Sequence, residues 1–188
     1  MELQKKITMV VITVLISTMV SAQILADGQR KGLIQATATI YPSQQLNTKG
    51  LNIYLGGYAN YYFHDKYSFR GDCYQYINSQ TKPSYVKNET RITWGFMRYF
   101  PVKRFDPYVG VQIGISLLNT HERPTEMVVN STFSVKAGLN FHVYKFFYFF
   151  LEMDYTHQPD PWHARPFDQF MGSGGLGFQI PIKNIRQE

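Results

Sequence analysis

The sequence predicts an all-β fold: an eight-stranded antiparallel up-and-down barrel that crosses a membrane. Three observations predict it. Hydropathy alternates with period two in eight separate segments, which calls for strands. The connections between segments are alternately short and long. The polar faces of the segments carry few charges, which is not what a face turned to bulk water looks like.

The chain of 188 residues suffices for one domain. Its start reads as a signal peptide over residues 1–22: two lysines, an uncharged apolar run over 7–20, then Ser21-Ala22 where a peptidase would cut. A short lead (23–32), a barrel (33–183) and a polar tail (184–188) follow. The apolar run is short for a spanning helix, and no other long one exists. Without residues 1–22 the chain keeps seventeen basic and twelve acidic residues. They form no block, so nucleic-acid binding is not expected. Cys73 is the only cysteine, so no internal disulfide exists.

The first segment, 33–41, sets Ile34, Ala36, Ala38 and Ile40 against Gln35, Thr37 and Thr39. The second, 51–63, sets Leu51, Ile53 and Leu55 against Asn52, Tyr54 and Tyr58. The third, 66–78, is weaker: Tyr67, Phe69, Cys73 and Ile77 against Ser68, Arg70, Asp72, Tyr74 and Tyr76, with Gln75 out of pattern. In the fourth, 90–100, Ile92, Trp94 and Phe96 oppose Arg91 and Thr93, and Arg98 falls on the apolar side, where it can snorkel. The fifth, 107–118, is the cleanest: Val109, Val111, Ile113, Ile115 and Leu117 alternate with Tyr108, Gln112, Ser116 and two glycines. The sixth, 132–143, sets Phe133, Val135, Leu139 and Phe141 against Ser134, Lys136, Asn140 and His142. The seventh, 146–156, sets Phe147, Phe149, Leu151 and Met153 against Tyr148, Glu152 and Asp154, blurred by Phe146 and Phe150. The eighth, 171–182, sets Leu176, Phe178, Ile180 and Ile182 against Ser173, Gly175, Gly177 and Gln179.

Short connections fall at 64–65, 101–106 and 144–145; long ones at 42–50, 79–89, 119–131 and 157–170. Even strand number, short turns on one side and long loops on the other describe a membrane barrel. A soluble, lipocalin-like barrel has the same strand count with its apolar face inside. Charge decides between them. Segments one, two, five and eight carry no charge, and the strand charges sit mostly on the polar face: Arg70, Arg91 and Lys136 against Asp72, Glu152 and Asp154. Three against three can pair inside the bore. Aromatic residues crowd the short turns (Tyr61, Tyr62, Phe63, Tyr67; Tyr99, Phe100, Phe105, Tyr108; Phe141, Tyr144, Phe146, Phe147), as a girdle at a membrane boundary would.

On these residues, and on the closing strand "GGLGFQIPIK", the chain resembles the small eight-stranded outer-membrane barrels of the OmpA/OmpX type across about residues 33–183. The resemblance implies an outer-membrane location, short periplasmic turns and extracellular loops. It implies a monomer in contact with outer-membrane lipid, acting in adhesion, envelope structure or recognition. These barrels often end on a terminal aromatic; here Phe178 is followed by Ile180, Ile182 and a polar tail.

No cofactor, metal or catalytic site is expected. "GSGGLG" lacks the lysine and following helix of a phosphate loop, so its glycines read as easing curvature where the last strand meets the first. A lipid-modifying enzyme would draw on His157, Asp160, His163 and Ser173, but no His-x-Ser pattern is present. A channel is not expected either, since side chains fill an eight-stranded bore. The exposed-loop recognition candidates are Trp162, His163, Arg165 and Phe167, facing an unidentified extracellular ligand.

Overall fold

The computed structural model describes residues 30–47, 50–80, 85–122, 125–159 and 166–182. The predicted signal peptide and tail lie outside them. Eight strands follow one another: β1 (Leu33–Gln45), β2 (Leu51–His64), β3 (Tyr67–Ser79), β4 (Val86–Tyr99), β5 (Phe105–Thr120), β6 (Val128–Tyr144), β7 (Phe147–His157) and β8 (Gln169–Pro181). Each pairs antiparallel with the next, and β8 pairs with β1 to close the barrel.

Side-chain alternation decides which way each residue faces. Ile113 and Phe96 are 58% and 60% exposed on the outer wall, whereas Arg70, Lys136 and Glu89 are fully enclosed. The apolar faces thus turn outward and the bore is polar. That is the reverse of a soluble ligand cup, and it suits hydrocarbon outside.

Several strands run further toward the long-loop end than hydropathy predicts. β4 begins at Val86 rather than residue 90, and β6 at Val128 rather than 132. Several outward positions there are polar, among them Gln44, Gln75, Asn88 and Ser131, beside the exposed Ile77 and Val129. Gln75 bonds across the outer surface to Asn88 and Thr90, at 2.8 and 2.6 Å. The ladder therefore continues above the apolar band, where an apolar-alternation signal has already ended.

The short-turn end is closed from inside. Tyr62, Tyr99 and Tyr108, expected in the aromatic girdle, point into the bore and pack with Leu33 and Met97. The outward girdle is Tyr61, Phe63, Tyr67, Phe100, Phe105 and Phe146. Glycine accommodates the inward tyrosines. A Cβ on Gly138 would lie 2.5 Å from the Tyr108 ring, and one on Gly177 would strike Tyr148. Gly177 thus makes room for a ring rather than merely easing curvature.

Pairing between β1 and β8 is interrupted. It holds from Leu33↔Pro181 to Ala36↔Phe178 and resumes at Ser43↔Met171. Six residues on each strand, 37–42 and 172–177, have no ladder partner across that seam, yet the register on both sides is the same.

Residues 30–32 close against the short-turn end of the barrel. Gly32, at φ +79°, turns the chain so that its N–H donates to the Tyr62 carbonyl and its carbonyl accepts from Ile182. In the β2–β3 turn, Asp65 accepts the backbone N–H groups of Arg30 and Lys31 at 2.8 and 2.9 Å. The Lys31 N–H does most to hold the Asp65 carboxyl below the usual carboxylate range; partial burial opposes it, and the Arg30 N–H adds to it. A carboxyl lowered by folding stabilises above its ordinary range of about 4, and that stability is lost as pH falls through the lower folded value. Urea unfolding in detergent is therefore expected to show Asp65→Asn weaker than the parent at pH 7 and converging with it by about pH 3. Parallel pH profiles would show that this clasp contributes nothing.

Candidate functional site

The bore is the densest collection of chemistry in the molecule. Arg70 and Asp72 lie two apart on β3, and Glu152 and Asp154 two apart on β7, so each pair shares one face. Arg70 reaches across the bore. It grips Asp72 (Nη2–Oδ1 2.7 Å, Nε–Oδ2 3.1 Å) and Glu152 (Nη1–Oε2 2.5 Å, Nη2–Oε1 2.8 Å), its guanidinium 3.5 Å from the centre of the Tyr58 ring. Lys136, facing Asp154 in the β6–β7 ladder, donates to Asp154 Oδ2 and to the Tyr74 hydroxyl, both at 2.7 Å. It also lies 3.5 Å from Glu152 and 3.6 Å from Asp72. Three neutral donors complete the cluster. The Tyr74 hydroxyl and the Gln112 amide donate to Asp72, and the Tyr108 hydroxyl to Glu152.

Five of the six residues predicted for the bore meet here. Arg91 does not. Its nearest carboxylate is Glu89, with Nη1 3.9 Å from Oε1, and its Nη2 reaches only the Met171 sulfur, at 3.1 Å. The predicted three-against-three balance is therefore two cations against three carboxylates, with Arg91 and Glu89 as a separate pair nearer the long loops. Glu89 is held by Tyr54 (2.5 Å), Ser116 (2.9 Å) and Gln169 (3.3 Å).

A third group closes the short-turn end. Arg30 donates to Asp106 at 2.7 and 2.9 Å and to the Lys103 carbonyl at 3.2 Å. His142 Nε2 lies 2.6 Å from Asp106, and its Nδ1 lies 2.8 Å from Gln179 Oε1. The Gln179 amide nitrogen donates to the Tyr144 carbonyl, which fixes Oε1 toward the ring. Both imidazole nitrogens thus face acceptors.

Sequence reading missed Glu89, Asp106 and Arg30, assigning the first two to connections and the third to the lead. Parity alone would have found the first two: Glu89 shares the face of Arg91 and Thr93, and Asp106 that of Tyr108.

The loop candidates fare differently. Trp162, His163 and Arg165 lie outside the described residues, as does Asp160. Phe167 is 3% exposed, packed on Val86 and Leu118 with its ring 5.8 Å from Tyr85. It anchors the loop base and is not an exposed recognition contact. His157 is outward and bonds Asp168 at 2.7 Å. Ser173 is inward and stands opposite Glu152, five residues down β7 from His157. That is about 17 Å of strand, so these two form no catalytic pair.

The chain superposes on solved membrane barrels. The N-terminal β-barrel domain of Pseudomonas aeruginosa OprF matches with a TM-score of 0.61 at 14% identity, over 81% of this chain and all of that one. Neisserial surface protein A matches with a TM-score of 0.61 at 14% identity, over 80% and 96%. Ail, the attachment invasion locus protein of Yersinia pestis, matches with a TM-score of 0.51 at 12% identity, over 80% and 99%. The fold is that of a small eight-stranded outer-membrane barrel. No family model matches the chain, and no curated protein does. Identity at this level speaks for the fold alone.

Removing one partner of a buried, hydrogen-bonded ion pair costs about 3–5 kcal/mol. Arg70→Met is expected to destabilise the barrel by that amount in urea refolding titrations. Adding Glu152→Met should recover part of the loss. Additive losses would mean that the two charges act independently. In planar bilayers the parent protein should give no stable single-channel current.

Proposed function

We propose that this protein is an outer-membrane barrel whose loops at the long-connection end mediate attachment or surface recognition, with the barrel as an unopened scaffold. The observation that carries the reading is the bore itself. Arg70, Lys136 and their carboxylates tie β3, β6 and β7 together across the lumen, and inward tyrosines fill much of what remains. Such an interior suits rigidity better than transport. Contact with the surroundings then falls to the outer ends of the strands and their loops.

Two features support placing the contact there. The loop bases are fastened: the Phe167 N–H donates to the Gln158 carbonyl at 2.7 Å, Leu46 N–H to the Asp168 carbonyl at 2.9 Å, and Asn47 to the Pro166 carbonyl at 2.5 Å. A fastened base loses less entropy on binding than a free one. Similarity in fold to a protein named for attachment, Ail, points the same way.

The test displays the full-length protein on cells that lack it and measures retention on immobilised fibronectin, laminin and heparin. Retention above that of control cells is expected on at least one surface. It should fall when residues 160–165 are replaced by Gly-Ser, with heat-modifiable gel mobility unchanged. Displaying cells that attach no better than controls would overturn the proposal, as would attachment indifferent to the replacement.

A further inference from the structure

The β1–β8 seam combines three independent observations. The first is backbone: residues 37–42 and 172–177 are unpaired across the seam although the register is kept. A barrel wall in hydrocarbon ordinarily satisfies every backbone group, since each unpaired one costs several kcal/mol. The local sequence accounts for the break. Pro42 has no N–H to give to a ladder, and Gly172, Gly174, Gly175 and Gly177 bring no side chains to pack across it. The second is exposure. Thr37 and Thr39, on the inward face of β1, are half-buried, and Gly175, inward on β8, is exposed. On the membrane side of the wall, a Cβ placed on Gly172 would meet nothing within 4 Å. One side-chain bond spans the gap, from the Thr39 hydroxyl to the Gly174 carbonyl at 3.2 Å.

The third is what lies behind the opening. Among the buried polar atoms without a hydrogen-bond partner are Thr37 Oγ1 and Tyr41 OH on β1, Ser173 Oγ on β8, and the Nε and Nη1 of Arg91. Arg91 stands at the inner side of the seam. It touches Met171, two residues from Ser173 on the same face, and sits 4.9 Å from the Tyr74 ring, against which Tyr41 packs at 5.0 Å. Glu89 balances the Arg91 charge from 3.9 Å, beyond hydrogen-bond range, so Nε and Nη1 have no acceptor, and buried donors left so are costly. The membrane side of the same gap is apolar: Ala38, Ile40, Leu176 and Phe178.

We propose that the seam is a lateral binding slot for a single-chain carboxylate amphiphile, a long-chain fatty acid drawn from the surrounding membrane. The carboxylate enters between Pro42 and Gly172 to accept from Arg91 Nε, the Tyr41 hydroxyl and the Ser173 hydroxyl. The hydrocarbon tail stays in the seam and against the outer wall. Six unpaired residues make a slot roughly 20 Å long, crossed near its middle by the Thr39–Gly174 bond. The charge of a carboxylate suits a guanidinium N–H that has no acceptor.

The inference rests on the reading that the barrel sits in a membrane, and the test separates the two. Full-length protein is refolded into phosphatidylcholine vesicles, and flotation with the vesicles and heat-modifiable mobility are recorded. Palmitate labelled with ¹³C at the carboxyl is then titrated in. A bound carboxyl resonance distinct from vesicle palmitate is expected. Tyr41→Phe and Ser173→Ala remove groups that hold no partner in this structure, so folding should be kept while affinity falls at least fivefold together. Gly172→Val fills open space and should block binding. Hexadecanol should not compete. A protein that floats yet shows no bound resonance overturns the slot and leaves the membrane reading intact. Affinity unmoved by all three variants, or equal competition by hexadecanol, overturns it likewise. Failure to float overturns both.

Discussion

A sheet surrounded by hydrocarbon cannot keep a free edge, and the rest of this structure follows from that constraint. Closing eight strands fixes a bore too narrow for water in bulk but too wide to leave empty. The side chains that fill it are therefore long and polar at their tips. Tyrosine serves best, because its ring fills volume and its hydroxyl reaches a partner. The inward tyrosines need space on the neighbouring strand, and glycine supplies it: Gly138 lies against Tyr108, Gly56 against Tyr74 and Tyr41. The glycines of the strands and the tyrosines of the bore are thus two halves of one packing solution.

Charge in such a bore is stable only when compensated. The central cluster has more carboxylates than cations, and neutral donors make up the difference. Asp72 takes bonds from Tyr74 and Gln112, and Glu152 from Tyr108. The arrangement ties β3 to β5, β6 and β7 through side chains as well as through the ladder. At the short-turn end, Arg30 brings in the segment ahead of β1 and joins it to Asp106 on β5 and, through Asp106, to His142 on β6. The barrel is cross-braced at two levels, and the seam between β1 and β8 lies beside the bracing rather than within it.

Much of this was legible in the sequence because both solvents leave a period-two signature. Hydrocarbon demands apolar residues at every second position, and the narrow bore rejects most charge. Segment 107–118 shows both demands at once, and its strand was located within two residues at either end. Legibility failed where one demand lapses. Above the membrane the outward residues turn polar, so Val86–Thr90 read as loop although Glu89 keeps the inward parity of Arg91. Near the short turns, aromatic residues face both ways. Tyr61 and Phe63 look outward and Tyr62 inward, and composition alone made all three a girdle. Pairing across the bore is not written in any local pattern. Arg70 finds Glu152 because four strands of curvature bring β7 opposite β3, and Arg91 misses that cluster because it sits four residues nearer the long loops along β3–β4 pairing.

The seam shows why closure need not be uniform. A strand pair can lose its middle only if both ends are pinned and the rest of the wall resists splaying. Here Leu33–Ala36 and Ser43–Gln45 pin the ends, and the Arg70–Glu152 and Lys136–Asp154 pairs brace β7, the neighbour of β8, from within the bore. The unpaired groups are tolerable where a polar bore stands behind them, because irregular backbone at membrane depth survives only beside polar surroundings. Arg91 gives that local polarity its sign. A guanidinium placed behind a gap in an apolar wall favours an anion over a neutral guest. The same compensation rule that fills the centre of the bore thus sets Glu89 beside Arg91 near the upper wall, yet leaves two of the guanidinium nitrogens without an acceptor.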